Sequence, residues 1–284
     1  MENNANANRL SKTSQGEFHY MDWIKEGVGL YDSARSVRTT WLLKKRRFNR
    51  SGKPILSMEG LRFLSQLTAL PRSSMLLLGY SVEMFLKSGI AKLFVGSSES
   101  IFKHSIKNTY SHNLERMAID LQFNPTKQDI LDLRKLQEYV LAEARYPVSL
   151  KPDEDYTEKL NNQNRTFQDR TEFSRLCELA LRIKRHILTI DSTSSDPMSH
   201  GSWAVDDDGY FCYRIGGTLN GRITYRLSAY QKKHDLTSID DVKEFACYWQ
   251  PAVAVFWNKC DVFEELVSSS GKAQLLKRAS RIEK

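Results

Sequence analysis

The sequence predicts a mainly α protein: an up-and-down bundle of five or six helices, followed by a small α+β addition of one β-hairpin and a helix. Three observations carry this. Large apolar residues recur at three- and four-residue steps through much of residues 18–190. The period changes to two between Tyr210 and Leu227, and a Ser/Thr/Asp/Gly-rich stretch from Asp191 to Ser202 separates the two regimes. The chain then divides into a disordered start at 1–17, a bundle at 18–190 and a C-terminal unit at 191–284. Two strands cannot bury their own faces, so the last unit is expected to pack on the bundle.

Taken in order, residues 1–17 are Asn-, Ala- and Ser-rich with almost no large apolar side chain to offset the entropy of ordering. Trp23, Leu30, Tyr31, Ala34, Val37, Arg38 and Trp41 then mark a long amphipathic helix ending in the basic run at Lys44, with a turn over Asn49 to Pro54. Ser57 can cap a short helix through Leu61, Phe63, Leu64 and Leu67, which Pro71 stops or kinks. A strongly apolar helix from about Arg72 to Val95 supplies the core. Residues 96–110 read as a polar loop, followed by a short helix from the His112 segment to about Leu121. Thr126 and Asp129 form a capping box that opens a helix through Leu133, Leu136 and Tyr139 to Ala144; Pro147 ends it. Lys151 to Gln163 reads as a polar connection, and Phe173 to Leu188 as the last bundle helix.

In the C-terminal unit, Tyr210–Ile215 and Arg222–Leu227 alternate and are separated by Gly216-Gly217 and Asn220-Gly221, the composition of a hairpin turn. Ser238, with Asp241 as its capping partner, starts a final helix carrying Val242, Phe245, Trp249, Val253, Phe256 and Val262. Pro251 is expected to kink or interrupt it.

Composition bounds the function. The 284 residues carry a net charge of +8 and a pI near 9.2, which favours an acidic partner, nucleic acid above all. The excess sits in Lys44-Lys45-Arg46-Arg47, in Arg182, Lys184, Arg185 and His186, in Lys232-Lys233-His234, and in the tail from Lys277. Each run alone also fits a solvated helix end. Cys177, Cys212, Cys247 and Cys260 stand far apart without metal-ligand spacing and read as reduced thiols of a cytoplasmic protein. No signal peptide or membrane-spanning run is visible, so no membrane partner is expected. No phosphate-binding glycine loop, nucleophile elbow or zinc motif occurs, and no cofactor or metal is expected. Asp206-Asp207-Asp208-Gly209 places its carboxylates consecutively rather than alternately, which suits a turn better than an ion loop.

One stretch stands out. Leu76 to Lys87 places Glu83 and Lys87 at i,i+4 inside an apolar helix, with the Glu on the favoured N-terminal side, so the two read as an internal polar pair. Together with Gly79-Tyr80, with His112, Leu114 and Ala118, and with Leu136, Tyr139-Val140 and Ala144-Arg145-Tyr146-Pro147, this order resembles the HEPN superfamily of helical domains. Many of those are toxin-type or antiviral ribonucleases. The resemblance covers about residues 60–190; no family is recognised for 191–284.

The resemblance implies an RNA-binding or RNA-cleaving protein of a prokaryotic antiviral or toxin–antitoxin system, acting as a homodimer and in company with a protein partner from that system. Its alternative is a catalytically inactive module that docks a protein or a nucleotide. In the family, an Arg and a His separated by a spacer of about four to six polar residues cleave RNA without metal. Here that motif is missing: no His follows Arg145, and the spacers from Arg182 to His186 and from Arg226 to His234 do not fit. Arg145 is the site candidate by its place in the family pattern; an Arg at a helix end also serves the last carbonyls. His112 is the candidate proton carrier, with packing or capping as its other reading, and His186 competes for the role. Lys44, Lys45, Arg46, Arg47, Arg182 and Arg185 are the candidate binding residues.

Overall fold

The computed structural model describes residues 9–144, 155–266 and 271–279. Its contacts group into two units, one drawn from Trp23–Leu86 and His112–Arg185, the other from Met1–Asp22, Lys87–Ser111 and His186–Lys284. The grouping is discontinuous in sequence, and three of its four boundaries fall within long helices.

The first unit is helical. Helix α1 (Tyr20–Ser51) buries Ile24, Gly27, Tyr31, Ala34, Arg38 and Trp41, steps of three and four that make one stripe. It runs seven residues past Lys44, through the basic run. Helix α2 (Met58–Leu93) runs through Pro71, so the stop expected there does not occur. Burial of Met75, Leu78, Val82, Phe85 and Leu86 outweighs the one backbone bond that proline removes. Close approach fixes the α1–α2 pair: Ser81 Oγ donates to the Gly27 carbonyl at 2.7 Å, and a Cβ on Gly27 would stand 2.6 Å from the Phe85 ring.

Helix α3 (Glu99–His104) belongs to the second unit, whereas α4 (Leu114–Asp120) and α5 (Lys127–Glu138) return to the first. The Thr126–Asp129 capping box is formed in both directions. Helix α6 (Tyr156–Gln168) occupies much of the segment expected to be a polar connection. Its only buried side chain is Phe167, so no apolar period announced it; Asp155 caps its start. Its C-terminal carbonyls are held from α1, where the buried Arg38 guanidinium donates to Phe167, Gln168 and Asp169. Burial depresses the Arg38 pKa to about 10. Helix α7 (Arg170–Thr189) closes the bundle.

The second unit is built on a five-stranded sheet, a correction to the single hairpin expected. Strands β1 (Ser199–Val205), β2 (Gly209–Ile215), β3 (Gly221–Arg226), β4 (Cys260–Glu265) and β5 (Ala273–Lys277) lie in sequence order. The expected hairpin is β2–β3. The β3–β4 pair is parallel, and the crossover between them carries α8 (Ala229–Lys233), α9 (Ile239–Trp249) and α10 (Pro251–Phe256). Pro251 interrupts the last helix as expected, serving as first residue of α10. Val262, expected on that helix, lies in β4. One sheet face, with Phe211, Tyr213, Ile223, Tyr225 and Val262, forms an apolar core with Val242, Ala246, Val253 and Trp257. The other face carries the alternate residues Tyr210, Cys212 and Arg214 of β2 and Arg222, Thr224 and Arg226 of β3. There Arg222 lies over the rings of Phe94 and Phe263 at 4.0 and 3.8 Å.

One further expectation is corrected. Residues 99–110, within the segment expected to be a loop, are helical: Ser98 caps α3, which buries Ile101 and Phe102, and a π-helical stretch follows over Ser105–Tyr110. Leu10 is buried and pairs its backbone with Ser97 and Gly96 at 3.0 and 2.8 Å. The acidic run Asp206–Asp208 is a turn; Asp206 accepts from Ser228 Oγ at 2.6 Å and Asp208 from the Ala229 N–H at 3.0 Å.

Helix α2 meets α5 through Gly79, whose added Cβ would stand 2.8 Å from Val140 Cγ2 and 3.1 Å from the Leu136 carbonyl. Gly79→Ala is therefore expected to destabilise the protein by about 1 to 3 kcal/mol despite its helix-favouring side chain, because backbone cannot retreat as a side chain can. Urea unfolding measures it.

Candidate functional site

The buried carboxylate that stood out in the sequence has a long-range partner. Glu83 projects from the apolar part of α2, and its Oε2 lies 2.9 Å from His112 Nδ1. The Glu side chain is 2% exposed and the imidazole 34%. A hydrogen bond at Nδ1 fixes the ring orientation and leaves Nε2 as the nitrogen for solvent or a ligand. Lys87, the partner expected for Glu83 from spacing, is half-buried one turn further on.

Local chain geometry sets the position of His112. Ser111 before it has φ 46°, a left-handed conformation costly for a side chain other than glycine, which turns the chain sharply after the π-helical stretch. Asn113 after it is the N-cap of α4, its side chain accepting the Arg116 N–H at 2.9 Å. The capping role considered for His112 thus falls to its neighbour. Gln137 of α5 accepts the Leu114 N–H at 3.2 Å, and Arg134 binds Glu115 through both nitrogens at 2.7 and 3.0 Å. Two other helices, α2 and α5, accordingly hold the short segment that carries the histidine.

Arg145 lies outside the described residues. Ala144, the last residue described before it, is buried, and its carbonyl accepts from Arg72 Nε at 3.2 Å. Arg72 and Glu83 are eleven residues apart on α2, a separation of ~16 Å along the axis. The described end of the α5 segment and His112 therefore stand at different levels of the same helix.

The remaining candidates are dispersed. Lys44, Arg46 and Arg47 are exposed near the end of α1; Lys44 also binds Gln66 at 2.7 Å, and Lys45 lies over the Trp41 ring. Arg182 is engaged by Asp129, with Nη1 to Oδ2 at 3.1 Å and a second bond from Nη2 to Oδ1. It is one rung of a seam between α5 and α7 that also contains Arg175–Asp132 at 2.8 and 2.9 Å and Glu172 with Lys135 and Tyr139 at 2.6 and 2.8 Å. Spacing in sequence could not show it, because the partners are 33 to 53 residues apart. Arg185 is exposed and His186 half-buried. Among the described residues, no group of three His, Cys, Asp or Glu is placed to hold a metal ion. Likewise among those residues, no helix is long and apolar enough to cross a membrane. Comparison with known proteins returns no matching family model, no matching curated protein and no matching solved structure.

The seam makes a pH-dependent prediction. Burial raises the Asp129 pKa, but the Arg182 fork and the Thr126 hydrogen bonds outweigh it and hold the carboxyl below its ordinary value. Its stabilising effect is therefore present above the unfolded-state pKa of about 3.9 and fades as pH falls through the lower folded value. Arg182→Ala, which leaves the Asp129 carboxylate with its Thr126 bonds but without its cation, is expected to cost about 1 to 2 kcal/mol at pH 7. Urea unfolding at pH 7 and pH 3 checks it: the difference from the parent protein narrows in acid.

Proposed function

We propose that the protein acts on RNA as a metal-independent endoribonuclease of HEPN type, with His112 as proton carrier and Glu83 as the buried carboxylate that positions it. The observation that carries this reading is the 2.9 Å contact between Glu83 Oε2 and His112 Nδ1, with one partner buried and the other partly open to solvent. Such a pair suits transfer of a proton to or from a 2′-hydroxyl or a leaving oxygen at Nε2, while the carboxylate steadies the ring as its charge changes. The left-handed Ser111 beside it fits the tendency of strained backbone to collect at working sites. The net charge of +8 suits a polyanionic substrate. The residues that carry the HEPN resemblance include both members of the pair.

In this reading Arg145 stabilises charge on the scissile phosphate, and the homodimer implied by the resemblance lets it meet the His112 of a second chain. The RNA belongs to an antiviral or toxin–antitoxin response, again as the resemblance implies.

The test is cleavage of a mixed-sequence RNA by the purified protein in the presence of a chelator. His112→Ala is expected to lower the rate by about 10² to 10⁴ with unchanged thermal unfolding. Glu83→Gln should retain part of the activity and displace the pH–rate profile, the mark of a positioning group. Cleavage that survives in His112→Ala would remove His112 as the proton carrier, and a parent protein that binds RNA without cleaving it would transfer support to the inactive docking module.

A further inference from the structure

The ends of α1 and α2 form a helical arm whose surface composition is unusual. Phe48 and Phe63 stack face to face across it at 4.3 Å between ring centroids, the Lys44–Gln66 contact ties the two helices together, and a Lys53–Glu59 contact ties the turn to α2. Gly60 is buried under the turn: a Cβ there would meet the Ile55 carbonyl at 2.1 Å, so only glycine lets the Pro54-Ile55 backbone fold onto α2. The result is a built turn. It presents Leu56 at 86% exposure, Met58 at 73% and Ile55 at 56%, with Leu43 and Leu61 about half exposed behind them. Single exposed apolar residues are ordinary, but five on one short arm are not. The same arm, Leu43 to Gln66, carries seven Lys and Arg residues against one Glu.

Each half of this composition excludes some occupants. A second copy of the arm would bring two strongly positive surfaces together. RNA would satisfy the cations, but it gives no use to exposed aliphatic side chains, and the two aromatic rings that could stack on bases are stacked on each other. A groove on another protein would need a matched shape for a projecting tip. An anionic bilayer surface needs no matched shape: aliphatic side chains enter the headgroup boundary while the cations around them meet lipid phosphates.

We propose that this arm is a peripheral membrane anchor, which docks tip first on anionic phospholipid with Ile55, Leu56 and Met58 inserted and Lys44, Arg46, Arg47, Arg50, Lys53 and Arg62 as its collar. A contact of this kind requires no spanning helix, and it stands independently of the ribonuclease reading.

Flotation of the full-length protein tests it with two vesicle types, phosphatidylcholine alone and phosphatidylcholine with about one-third phosphatidylglycerol. The expected result is at least tenfold tighter binding to the anionic vesicles, weakened by salt. The double variant Leu56→Asp/Met58→Asp should lose at least tenfold, and so should Arg46→Ala/Arg47→Ala; both changes lie at exposed positions, and circular dichroism confirms that folding is unchanged. No binding to either vesicle, or binding without preference for anionic lipid, would overturn the proposal, as would full binding by the Leu56→Asp/Met58→Asp variant. A parent protein that ignores both vesicles but loses RNA retention in Arg46→Ala/Arg47→Ala would assign the arm to RNA instead.

Discussion

The constraint on which this architecture depends is that ionised groups placed on buried helix faces must each find an opposite charge or a full set of hydrogen bonds. Asp129, Asp132 and Glu172 are each less than a tenth exposed, and α5 and α7 are held in one register by the cations that meet them. Apolar packing alone tolerates sliding of one helix along another; a ladder of desolvated pairs does not, because a shift of one turn would strand several charges together. Arg38 does similar work for α6. That helix buries one side chain, and it is held at its C-terminal end by three carbonyls bound to a single guanidinium.

The same constraint accounts for the candidate site. Glu83 lies in the most apolar part of α2, where an unpaired carboxylate would be expensive, and the imidazole of His112 answers it. Because the histidine belongs to a short segment held by a cap, a glutamine and a bidentate ion pair, its ring is placed with little freedom. A partly exposed ring with a fixed orientation is a better proton carrier than a mobile one, since less ordering is left for the moment of reaction.

The second unit solves its burial problem differently. Its sheet has one apolar face closed by helices of the β3–β4 crossover and one face bearing three arginines. Arg214 and Lys92 share Asp191, Arg226 binds Glu265, and Arg222 lies between two phenyl rings. Aromatic faces can accommodate a guanidinium, because its charge is delocalised and weakly hydrated.

Features with a local cause were legible in the sequence. The stripe of α1, the capping boxes at Thr126 and Ser238, the β2–β3 hairpin, the Asp206–Asp208 turn and the break at Pro251 each follow from residues within a few positions of one another. Features decided by distant partners were not. Helix α6 lacks an apolar period and depends on Arg38, more than a hundred residues away. Strands β1 and β4 exist because β2 and β3 offer them edges, and β5 because β4 in turn offers it one. The continuity of α2 through Pro71 reflects burial on its flanks, which proline's local preference could not outweigh. For the site, the sequence by itself determined that Glu83 must be buried and that His112 begins a helical turn. Only tertiary structure decided that they meet, because a 29-residue separation carries no periodic signal and the pairing is set by where α2 and α4 pack.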